Sequence, residues 1–86
     1  MWDILIINCE KYQLDVIRAY FIVNNIEYSE RNGSLVFYAS TVDTLFNVVH
    51  GINEFYANHR KQGFDDLWLA VDIVDNDYVL YAIDRY

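Results

Sequence analysis

The dipeptide Asn32-Gly33 constrains the fold of this chain more than any other local feature. It stands between two segments in which apolar and polar residues alternate. A two-residue type I′ turn needs positive φ at both central positions, and Asn and Gly tolerate this. The sequence therefore predicts a β-hairpin over residues 26–40, in which Glu27 lies opposite Tyr38 on the mixed face.

A second hairpin is predicted near the C-terminus, in a stretch that carries six carboxylates and one cation between residues 65 and 86. A turn at Asn76-Asp77 pairs Val71 with Ala82. Successive residues of a strand point to opposite faces, so the residues of this hairpin divide into two sets, one on each face of the sheet. The set predicted to face the helices is Leu67, Leu69, Val71, Ile73, Leu80 and Ala82. The set predicted to face away is Trp68, Ala70, Asp72, Val74, Val79, Tyr81 and Ile83.

The remaining segments predict one strand and two helices. A short β-branched run over residues 2–7 is typical of a buried strand. Apolar residues at helical spacing predict a first helix over residues 10–24 and a second over residues 41–62. Gly51 interrupts the second helix, and we interpret it as a close contact between helix and sheet because glycine is unfavourable there otherwise.

The resulting order is strand, helix, strand, strand, helix, strand, strand. Two right-handed strand-helix-strand units that share a central hairpin form a ferredoxin-like βαββαβ sandwich. We therefore predict a single α+β domain over residues 1–86, with an antiparallel sheet, both helices on one face and an extra C-terminal strand (βαββαββ). The predicted strand order is 4-1-3-2, with the fifth strand beside the fourth as a new edge. The alternative places the last hairpin at another edge.

The charge balance limits the classes of partner. Thirteen carboxylates against six Lys and Arg residues give a net charge of −7. Phosphate backbones and anionic membranes are bound through Lys and Arg, so direct nucleic-acid and membrane binding are excluded. The single cysteine, Cys9, has no internal disulfide partner, and the apolar run over residues 4–7 is too short for a signal peptide or a membrane span. We expect a cytoplasmic protein.

None of the reactive residues forms a catalytic or cofactor-binding motif. His50 and His59 are nine residues apart on the predicted second helix, about 180° around its axis, so they cannot share a metal. The acidic residues 72–77 lack the Gly and the distal Glu of a calcium-binding loop. The sequence therefore predicts a protein that is not an enzyme and holds no cofactor or metal. A metal-dependent hydrolase based on Asp3 and Asp72 is the enzymatic alternative.

A partner-binding surface is predicted where the acidic hairpin meets the free face of the sheet. Residues 64–86 carry a net charge of −5, from six Asp and one Arg. A concentrated negative field attracts a basic protein surface, and large aromatic rings are enriched at binding hot spots. The predicted partner-binding residues are Glu27, Tyr38, Asp65, Asp66, Trp68, Asp72, Asp75, Asp77 and Tyr81.

These features favour a small acidic protein-binding module. The specific hypothesis is an inhibitor that mimics nucleic acid and blocks a basic nucleic-acid-binding protein, as phage and mobile-element counter-defence proteins do. The alternative is a homodimeric ferredoxin-like domain with a regulatory or small-ligand-binding role. In that case a second copy covers the free face of the sheet, which carries more apolar area than monomers usually expose.

Overall fold

A computed structural model describes residues 2–59 and 67–84 of the chain. The elements are β1 (Asp3–Ile7), α1 (Lys11–Val23), β2 (Ser29–Arg31), β3 (Ser34–Ala39), α2 (Val42–His59), β4 (Leu67–Val74) and β5 (Asp77–Asp84). The order of strands and helices along the chain is the expected one. Their arrangement within the sheet differs from the prediction.

The ferredoxin-like arrangement predicted from the sequence is wrong. The five strands form a mixed sheet in the order β2-β3-β1-β5-β4. β5 runs parallel to β1, with Ile7 aligned to Leu80, and the amide of Asn8 donates to the carbonyl of Leu80 at 2.8 Å. The fifth strand therefore occupies the inner position that the prediction gave to the fourth, and β4 forms the edge.

The two strands differ in how far their side chains enter the core. Leu80 of β5 is fully buried, whereas Ile73 of β4 is 69% exposed. The last hairpin can place its first strand beside β1, which makes that pair antiparallel. It can instead place its second strand beside β1, which makes that pair parallel. Both strands carry the same apolar alternation, so the local pattern does not distinguish these arrangements, and packing against β1 and the helices decides between them.

The last hairpin turns at Asp75-Asn76, one residue earlier than predicted. These residues have φ of 51° and 69°, as a type I′ turn requires. Val71 consequently pairs with Leu80 rather than with Ala82. The pairing moves by two residues, and because side chains alternate with a period of two, each residue keeps its predicted face.

The first hairpin has the predicted turn and register. Asn32 and Gly33 have φ of 50° and 82°, and Ser29 pairs with Val36. β2 is nevertheless only three residues long. Glu27, which was predicted to lie within the strand opposite Tyr38, therefore precedes it.

Helix α1 begins and ends with local hydrogen bonds. At its start the amide of Glu10 donates to the side-chain Oε1 of Gln13 at 2.8 Å. At its end Asn25 has φ of 58°, and the amide of Ile26 donates to the carbonyl of Phe21 at 2.8 Å. This six-residue closure is the Schellman motif, in which Asn is among the residues that tolerate the left-handed position. It turns the chain from α1 toward β2.

Helices α1 and α2 pack closely at Gly51. A Cβ atom at this position would lie 2.8 Å from Cζ of Tyr20. Burial raises the pKa of the Tyr20 hydroxyl above its usual value. The close contact predicted at Gly51 therefore exists between the two helices and not between helix and sheet.

The hydrophobic core lies between the two helices and one face of the sheet. Its buried members are Leu5, Ile7, Leu14, Ile17, Phe21, Leu35, Phe37, Ala39, Leu45, Val48, Val49, Ile52 and Leu80. Within the described part of the chain, no helix is both long and apolar enough to cross a membrane. Because both helices cover the same face, the other face of the sheet is covered by neither helix.

Candidate protein-binding surface

The face of the sheet opposite the helices carries most of the described candidate residues. Strand register places on it Ile4, Ile6, Val36, Tyr38, Asp77, Val79 and Tyr81 from the inner strands, and Ala70, Asp72 and Val74 from the edge strand. Val74 is 50% exposed, while Val36 is buried. The surface is therefore most open toward β4 and more closed toward β3.

Charged side chains of α1 and β2 form ion pairs in which opposite charges neutralise one another. Arg18 donates to both carboxylate oxygens of Glu30 at 3.0 and 3.1 Å and to Asp15 at 2.8 Å, and Lys11 lies 3.3 Å from Asp15. The hydrogen bond from Arg18 lowers the pKa of Asp15, with a further contribution from Lys11. The hydrogen bond to Glu30 raises the pKa of Arg18. This cluster therefore presents little net field.

The carboxylates of the β4–β5 hairpin, in contrast, are not neutralised by ion pairs among the described residues. Asp72 and Asp75 are exposed and Asp77 is half-buried. None of the ion pairs formed by the described residues involves these three carboxylates. Other carboxylates, such as Glu27 and Asp43, also lie outside these ion pairs, but the hairpin places three such carboxylates within a span of six residues.

A hydrogen bond across the hairpin joins two of the predicted partner-binding residues. The Tyr81 hydroxyl donates to Oδ2 of Asp72 at 3.0 Å. Asp72 pairs with Val79, so Tyr81 is its diagonal neighbour, within reach of a long side chain. The bond raises the pKa of Tyr81 above its usual value because it stabilises the protonated hydroxyl beside a carboxylate.

One end of the open face brings together residues from four strands. Ile4 lies opposite Tyr38, and both line a groove of about 280 Å³ with Asp77 and Arg31. The guanidinium carbon of Arg31 lies 5.8 Å from the centroid of the Tyr38 ring, within the range of a cation–π contact. Tyr38 and Asp77, which are far apart in sequence, thus share one small surface.

A larger groove of about 580 Å³ also has Tyr38 in its lining. Its lining residues are Trp2, Ile26, Glu27, Tyr28, Ser29 and Tyr38. Glu27 and Tyr38 were predicted from the sequence as partner-binding residues, whereas Trp2 and Tyr28 were not. A signal for Trp2 was present, because it continues the alternation of Ile4 and Ile6 onto the open face.

Three predicted site residues fall wholly or partly outside the described residues. Asp65 and Asp66 lie outside them. The backbone of Trp68 pairs with Ile83 in the hairpin, and its side chain is not among those described. Asp75 lies at the turn itself. The assignment of all nine residues to partner binding stays a prediction.

No protein-family model, curated protein or solved structure matches the chain. Among the described side chains, no three His, Cys, Asp or Glu residues come together as a metal site would require. Function is therefore inferred from the chemistry of the surface.

Proposed function

We propose that this chain is a non-catalytic binding module that docks the acidic β4–β5 hairpin and the adjoining end of the sheet around Tyr38 onto a basic protein. The separation of charge carries the proposal. The carboxylates around Arg18 are paired, whereas Asp72, Asp75 and Asp77 lie outside the ion pairs of the described residues. A partner with a positive surface meets these three carboxylates close together at the hairpin.

The shape of the hairpin supports insertion into a cleft. β4 is the edge of the sheet, and Ile73 and Val74 near its turn are 69% and 50% exposed. Basic clefts are typical of proteins that handle nucleic acid, because Lys and Arg there neutralise phosphates. The proposed role is that of an inhibitor whose carboxylates occupy such a cleft in place of phosphates.

Affinity capture from extract of the native host tests this proposal. Wild-type chain is compared with a bait carrying Asp72→Asn, Asp75→Asn and Asp77→Asn. We expect the wild-type bait to retain a basic nucleic-acid-handling protein that the variant loses, because the variant lacks the hairpin's field. Quantitative mass spectrometry of the two eluates measures the difference.

The matched control bait removes three carboxylates elsewhere, through Asp15→Asn, Asp43→Asn and Glu54→Gln. All three are exposed, and the loss of surface ion pairs such as that of Asp15 has an effect of only about 0–1 kcal/mol. This bait has the same net charge as the hairpin variant. If both variants retain the same proteins as the wild-type chain, the hairpin does not bind the partner.

Self-association is a second candidate, favoured by the contrast between the two sheet edges. β2 is three residues long and carries Glu30 and Arg31, which protect an edge against pairing. β4 is eight residues long and has Asp72 as its single charge. A long apolar edge of this kind can add a strand from a second copy, giving a regulatory dimer.

Light scattering after gel filtration separates the two candidates. A dimer would have twice the chain mass of 10.2 kDa, and Ile73→Lys on β4 is expected to restore the monomer. Ile22→Lys on α1 is the matched control, since Ile22 is 64% exposed and Ile73 is 69% exposed. A wild-type chain that stays monomeric at about 100 μM, well above typical affinities for stable dimers, would contradict self-association.

A further inference from the structure

The residues that line the larger groove beside Tyr38 differ in type from those of the acidic hairpin. Three aromatic rings, from Trp2, Tyr28 and Tyr38, line it together with Glu27, the carboxylate among its described lining residues. Trp2 is 61% exposed. A tryptophan side chain that keeps most of its surface in water contributes little to the core, so its exposed ring is suited to binding.

The combination of aromatic rings with a carboxylate is the chemistry that recognises an organic cation. The face of an aromatic ring carries negative charge and attracts a cation within about 6 Å of its centroid. A guanidinium group suits such a site better than an ammonium, because its plane stacks on rings while its N–H fork donates to a carboxylate.

The chain itself provides an example of this contact. The guanidinium of Arg31 lies over the ring of Tyr38, 5.8 Å from its centroid. Arg31 lines the smaller groove, whereas Tyr38 lines both grooves. The ring thus already holds a guanidinium at the smaller groove, and it also contributes to the wall of the larger groove, where Glu27 is the charged residue.

We propose that the larger groove binds an arginine side chain of the basic partner, which stacks on Trp2, Tyr28 and Tyr38 and donates to Glu27. The net charge of −7 raises the local concentration of cations and favours this occupant over an anionic or neutral one. The identity of the donor as a partner protein rests on the proposed function. Binding of the guanidinium group itself does not require the partner.

Nuclear magnetic resonance titration of the full chain with Nα-acetyl-L-arginine amide tests the site directly. We expect shifts centred on the Trp2 indole and on the backbone amides of Glu27, Tyr28 and Tyr38. The citrulline analogue has the same shape without the charge and should leave these signals in place. Equal shifts with citrulline, equal affinity for the lysine analogue, or shifts centred on Asp72 to Asp77 would each overturn the proposal.

Two variants test the residues that hold the cation. Trp2→Ala and Glu27→Gln are each expected to weaken arginine-amide binding about two- to fivefold, the range for a cation–π contact or exposed ion pair. Both side chains are exposed, and the same spectra report whether the fold is kept. Glu54→Gln removes an equal charge from α2 and should bind as the wild-type chain does. Unchanged affinity in both groove variants would show that the groove is not the site.

The result of the arginine-amide titration can be distinguished from the result of the capture experiment that tests the proposed function. The chain with Asp72→Asn, Asp75→Asn and Asp77→Asn should still bind arginine amide at the groove, because these residues do not line it. Loss of partner capture with retained arginine-amide binding supports both proposals. Absence of arginine-amide binding overturns the groove site even if the hairpin captures a basic protein.

Discussion

Replacing Phe21 with alanine is expected to reduce the free energy of unfolding by about 3–5 kcal/mol. Phe21 is fully buried, and its ring stacks on Tyr28 and Phe37 with centroids 5.2 and 5.9 Å apart. Small domains have only about 5–15 kcal/mol of total stability, so this single change removes a large share of it.

Urea denaturation followed by circular dichroism measures this effect. The matched control is Phe46→Ala on α2, since Phe46 is 46% exposed and makes an edge contact with Tyr78 at 5.5 Å. We expect the control to lose about 1 kcal/mol, the scale of one aromatic pair. Where Phe21→Ala fails to fold, Phe21→Leu keeps part of the packing and gives a measurable, smaller loss. Equal losses at Phe21 and Phe46 would contradict the described core.

The same packing connects the core to the larger groove. Tyr28 lies almost parallel to Phe21, with 21° between the ring planes, and it also lines the groove. Its ring is therefore held in place by a buried neighbour. A preorganised ring loses less side-chain freedom on binding than a mobile one, so the core contributes to affinity without touching the ligand.

The features predicted correctly from the sequence are those fixed by neighbouring residues. Asn32-Gly33 determines its own turn through the φ angles that these residues tolerate. The face of each described hairpin residue is also correct, although the register of the last hairpin was off by two. Alternation with a period of two makes faces insensitive to such a shift, which is why Asp72 and Tyr81 were placed together on the open side.

The arrangement of the sheet was not predictable in the same way. The position beside β1 is decided by contacts between segments more than seventy residues apart, such as Asn8 with Leu80. Both strands of the last hairpin satisfy the local pattern equally. Whether β1 has an antiparallel or a parallel neighbour therefore depends on the packing of the whole core. The groove was missed for a related reason. It combines Trp2 with Tyr28 and Tyr38, which only the folded sheet brings together.

The second large effect is expected in the rate of association with the captured partner. At an ionic strength of about 0.01 M, where the Debye length is about 30 Å, the variant with Asp72→Asn, Asp75→Asn and Asp77→Asn should associate at least about tenfold more slowly than the wild-type chain. These three carboxylates lie on one hairpin and outside the ion pairs of the described residues, so the long-range field that steers a basic partner falls sharply without them.

Stopped-flow or surface-based kinetics across a salt series distinguishes steering from contact energy. The difference between the two chains should shrink as the Debye length falls to about 3 Å at 1 M salt, because screened charges no longer act at a distance. The control with Asp15→Asn, Asp43→Asn and Glu54→Gln has the same net charge, so any effect of total charge appears in it as well. A rate reduction equal in both variants would show that net charge and not the hairpin steers the encounter. A reduction confined to the hairpin variant and sensitive to salt identifies the hairpin as the surface that meets the partner first.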